Sequence, residues 1–81
     1  MDTGMLWFDN DPKTCLSDKV FKAAEHYREK YGLAPDLCLV HPSMLAEPQA
    51  QAGRVIIRPL RAVLPGHLWI GVEDRLPVGA D

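Results

Sequence analysis

The chain has 81 residues, 47% hydrophobic and 25% charged, with nine Lys and Arg against eleven Asp and Glu for a formal charge of −2. This is the balance of an ordinary globular domain rather than a disordered chain, and its mildly acidic sum gives no global attraction for a polyphosphate partner. No apolar run approaches the roughly 18 residues a membrane span needs, and the amino terminus lacks a basic stretch followed by a long apolar one; a soluble, cytoplasmic protein with no membrane partner and no cofactor is expected.

In chain order, the first element is a short apolar run, Met5-Leu6-Trp7-Phe8, closed by Asp9-Asn10-Asp11-Pro12, which predicts a strand over about residues 4–9. The period then changes. Leu16, Val20, Ala23, Ala24, Tyr27 and Tyr31 recur at three- and four-residue steps, the spacing of one helical face, so a helix is expected over about 15–31. Thr14 or Ser17 is the expected cap, Gly32 suits the left-handed residue after the last turn, and Pro35 prevents continuation.

Leu37-Cys38-Leu39-Val40 reads as a second strand ended by His41-Pro42. A helix separates the first two strands, so the simplest arrangement sets them parallel in one sheet. Residues 43–53 are expected to form one helical turn capped by Ser43 and then a loop, because Pro48 limits the helix. Val55-Ile56-Ile57 and Leu68 to Val72 give the third and fourth strands, with a type II turn at Pro65-Gly66 between them. The fold expected is α/β of the α+β kind: a small two-layer β-α-β-β-β sandwich, one main helix packed on a mixed three- or four-stranded sheet. The whole chain, 1–81, reads as one domain, with 1–3 and 76–81 as loose tails.

All four strands are nearly continuous apolar runs, the pattern of strands covered on both faces. One amphipathic helix covers one face only, and the remaining segments are short. The function expected is therefore a non-enzymatic protein-interaction or self-associating module, a homo-oligomer or the partner of another protein. Trp7 and Trp69, central in their strands, are its candidate anchors; the alternative is that both are simply core residues. Arg54 and Arg58, two even steps apart, are expected on one strand face, in a segment 53–72 that holds three arginines and no acid. That stripe is the candidate for phosphate contact in a nucleic-acid-binding module, or for pairing with acidic surface.

A catalytic alternative rests on geometry. If the first two strands are parallel, Asp9, Asp11, His41 and Ser43 share the sheet edge where open α/β folds place ligands. Two carboxylates and an imidazole are the donor types that could hold Mg²⁺ or Mn²⁺ in a small metal-dependent phosphodiesterase or nuclease, although Asp is equally an ordinary turn former. Cys15 and Cys38 are too few and too far apart for a disulfide framework and read as reduced thiols, Cys15 near a helix start and Cys38 in the core.

Overall fold

The computed structural model describes residues 4–72; the segments expected as loose tails, 1–3 and 76–81, lie outside the described residues. One 16-residue helix, α1 (Leu16–Tyr31), packs on a five-stranded mixed sheet made of β1 (Gly4–Phe8), β2 (Leu37–Val40), β3 (Ala50–Ala52), β4 (Val55–Pro59) and β5 (His67–Gly71). The strand order is β1-β5-β2-β4-β3. β5 pairs antiparallel with both β1 and β2, so β1 and β2 run parallel with the last strand inserted between them. β4 is parallel to β2 and antiparallel to β3. The two-layer α+β sandwich expected from the sequence is thus the fold, with one more strand than the sequence pattern offers.

The added strand is Ala50–Ala52, a three-residue segment of Ala-Gln-Ala with little strand propensity of its own. Its pairing is set by the turn that follows. Ala52 faces Val55 across residues 53 and 54, and Gly53 has φ 61°, the placement that a two-residue II′ hairpin uses.

The helix begins at Cys15, whose backbone is extended and whose side chain makes no capping hydrogen bond. Neither expected cap acts there: the Thr14 hydroxyl donates to Asp11 at 3.0 Å, and Ser17 lies inside the helix. The carboxyl end follows the expectation, since Gly32 has φ 73° and its N–H donates to the Arg28 carbonyl at 2.8 Å. After β2 the chain makes a single 3-10 turn, Pro42–Met44. It is capped by His41 rather than Ser43, with the His41 ring accepting from the Ser43 N–H at 3.1 Å. Pro42, lacking an N–H, fits the first position of such a turn. The Pro65-Gly66 turn forms as expected: Gly66 has φ 83° and the His67 N–H donates to the Leu64 carbonyl.

The core lies between helix and sheet. Val20, Ala23 and Tyr27 of α1 meet Cys38 and Val40 of β2, Val55 and Ile57 of β4, and Leu68 and Ile70 of β5, all buried. Tyr27 is the largest fully buried side chain, and burial, with Tyr31 and Asp36 nearby, pushes its phenol pKa up from the ordinary 10.0. The opposite face carries a smaller cluster, in which Val63 of the 60–66 loop lies against Leu37, Leu39 and Trp69. β2 alone is therefore buried at every position, helix on one side and loop on the other.

Candidate functional site

Side chains alternate across a strand, and this alternation sorts the candidate residues. On β1, Met5 and Trp7 turn toward the helix and join its core, while Leu6 and Phe8 turn the other way and are 63% and 59% exposed. Across the ladder, Leu6 faces Trp69 and Trp69 faces Leu39, forming an apolar row over three strands on the helix-free side. The 60–66 loop forms the wall of that row. Leu6, Leu39, Leu60, Val63, Leu64, His67 and Trp69 line a groove of about 330 Å³, and Leu60 and Leu64 are 38% and 65% exposed. Three exposed leucines, Leu6, Leu60 and Leu64, thus surround a tryptophan on one side of the sheet, with Phe8 beside them against His67. Scattered exposed leucines are normal, but an exposed cluster of this kind is the usual mark of a contact surface.

The two tryptophans have different surroundings. Trp69 lies in the groove against Leu37, Leu39 and Val63. Trp7 packs on the helix side, its ring centroid 4.5 Å from that of His26, and its indole N–H is buried without a hydrogen-bond partner. The two arginines are likewise separated. Arg58 lies on β4 between helix-facing neighbours and so points to the groove side, where its Nε donates to Gln49 at 3.2 Å. Arg54 lies in the β3–β4 turn and lines a different concavity, about 500 Å³ beside the carboxyl end of α1, together with Phe21 and Arg28. The expected single stripe is therefore divided, because Arg54 falls one residue before β4 begins, where strand alternation does not apply.

Asp9 and His41 do lie at the same edge of the sheet, each just past the carboxyl end of one of two parallel strands. Their polar atoms are engaged locally. Asp9 accepts from the Asp11 N–H at 3.1 Å, Asp11 accepts from the Lys13 N–H at 2.9 Å and from Thr14, and His41 Nδ1 lies 2.8 Å from the Ser43 hydroxyl. The bonds from Lys13 and Thr14, assisted by the charges of Lys19 and Lys22, hold the Asp11 carboxyl below its usual range. These are the local bonds of Asx turns. Among the described residues no three His, Cys, Asp or Glu side chains gather closely enough to hold a metal ion.

Cys15 is exposed and Cys38 buried, both free thiols. In the native protein a thiol reagent is expected to modify Cys15 alone, with Cys38 reacting only on unfolding; rapid modification of both in native buffer would contradict this placement.

The sequence pattern did not single out Leu6, Phe8, Leu60 or Leu64. In a continuous apolar run nothing distinguishes the covered from the open face, and the 60–66 loop has no period to read. No family model matches the sequence, and no curated protein and no solved structure matches it significantly. No helix among the described residues is long and apolar enough to cross a membrane.

Proposed function

We propose that this protein is a non-enzymatic, self-associating module whose contact surface is the helix-free side of the sheet. The observation that carries the reading is the exposure of Leu6, Leu60 and Leu64 around Trp69, with Phe8 exposed on the same side against His67. The helix already fills one side of the sheet, and among the described residues the segment laid over the other is the 60–66 loop, which reaches β2 and β5 while Leu6 and Phe8 of β1 are exposed. Apolar surface of that kind is removed from water where a second copy covers part of it, at about 25 cal/mol per Å² of apolar area removed. The groove side bears Arg58 at its β4 end but no acid among the residues lining the groove, so association there is expected to be driven by apolar contact and weakly sensitive to salt.

The test is the solution mass by light scattering after size exclusion, over about a hundredfold range of concentration. A mass rising from 9.0 kDa toward twice that value is expected. Leu64→Asp should return it toward the monomer, weakening association about tenfold or more, with little change in the unfolding midpoint because Leu64 is exposed. A mass of 9.0 kDa throughout the range overturns the reading.

A further inference from the structure

Among the described residues β1 is an edge of the sheet, and the ladder defines which of its backbone groups face β5 and which face outward. The Asp9 N–H donates to the Gly66 carbonyl at 2.9 Å, immediately beyond the Phe8 and His67 pair. Antiparallel ladders alternate hydrogen-bonded and non-bonded pairs, so Asp9, Trp7 and Met5 direct their N–H and C=O groups toward β5. Gly4, Leu6 and Phe8 direct theirs outward, away from the sheet. Edge strands are commonly protected by lysine, proline or a bulge; Gly-Met-Leu-Trp-Phe has none of the first two and pairs with β5 in unbroken register.

We infer that β1 pairs antiparallel with β1 of a second copy, with Leu6 opposite Leu6 on the two-fold axis. The inference rests on the self-association proposed above and narrows its contact to the β1 edge of that side. This register brings Gly4 opposite Phe8 of the other copy, and each of the three outward-directed residues then meets a residue whose donor and acceptor also point outward. An isologous contact requires such self-complementarity. The side chains agree with it. A Cβ on Gly4 would collide with the Trp69 indole, so the position beside Gly4 is floored by an aromatic ring and has room on its own strand for no side chain. Phe8 of the second copy, brought opposite Gly4, lies over that position and extends the apolar row of Leu6 and Trp69. The segment carries no charge to repel its own copy. The result is one continuous sheet through both copies, with the two grooves on the same side.

The experiment is amide hydrogen exchange by NMR at concentrations below and above the association midpoint. The Leu6 and Phe8 amides are expected to exchange freely in the monomer and about tenfold or more slowly in the dimer, while the Trp7 amide is protected in both. Leu6→Pro supplies a second readout. Its missing N–H points away from β5, so the β1–β5 ladder keeps its bonds while both bonds across the two-fold are lost, and the mass should fall to that of the monomer. A dimer in which Leu6 and Phe8 amides exchange freely overturns the strand pairing and leaves self-association through the groove standing. A monomer at every concentration overturns both.

Discussion

Trp7→Ala and Trp69→Ala are expected to fail in different ways. Trp7 packs on the helix-facing core, and its truncation there should cost about 3 kcal/mol of folding stability. For a domain of this size, with a total of roughly 4–12 kcal/mol, that is a large fraction. Trp69 lies on the open side, where the space it vacates is accessible to solvent and to the 60–66 loop. Its truncation should weaken self-association about 30-fold or more, corresponding to about 2 kcal/mol, with a smaller loss of folding stability. Trp7→Phe gives a sharper check. It keeps an aromatic ring beside His26 and removes an indole N–H that is buried without a partner, a group that costs about 1–3 kcal/mol to leave unsatisfied. The Phe variant should therefore remain within about 1 kcal/mol of the parent. Urea unfolding of the three variants, paired with their solution masses, decides the matter. If Trp7→Ala abolished association without lowering the urea midpoint, the assignment of the two tryptophans to opposite sides would be wrong.

This division of roles explains how far the sequence could be read. The helix was legible because its apolar positions recur at helical spacing from Leu16 to Tyr31, and Gly32 ends it by the backbone freedom that only glycine has. β2 was legible because it is buried at every position, which makes a continuous apolar run. The same run at β1 has a different cause: Met5 and Trp7 serve the core, and Leu6 and Phe8 are left to solvent. Composition alone does not separate a strand covered on both faces from one covered on a single face with an apolar open side. Ala50–Ala52 was hidden for the opposite reason, since its strand state comes from its neighbour β4 and from Gly53 rather than from its own residues. At the sheet edge, residue type suggested chemistry where the structure shows turns. Asp9, Asp11 and His41 are brought near the carboxyl ends of parallel strands, yet each is engaged with the backbone two residues on.

Alkaline pH should destabilise this protein through Cys38. The thiol is fully buried on β2, paired across the sheet with Ile57 on one side and Ile70 on the other, and burial pushes its pKa up from 9.0 to about 12. No charged partner offsets this shift; its cause is desolvation of the thiolate. Below pH 9 the thiol is protonated whether the chain is folded or unfolded, and its contribution is fully present. Between pH 9 and about 12 the unfolded chain releases the proton and the folded chain retains it, so stability falls as pH rises. Three pH units correspond to a loss on the order of 4 kcal/mol at the upper end of that window, and roughly half of it by the middle. The buried phenol of Tyr27 acts in the same direction above its ordinary pKa of 10.0, adding to the slope without starting it. Cys38→Ala isolates the thiol: it should lower stability at pH 7 through the lost sulfur, yet flatten the decline between pH 9 and the onset of tyrosine ionisation. Urea midpoints of both proteins at intervals from pH 7 to 11 measure the difference directly. Parallel curves would mean that the thiol is hydrated in the folded protein, and that β2 is not the doubly covered strand on which the rest of the sheet is assembled.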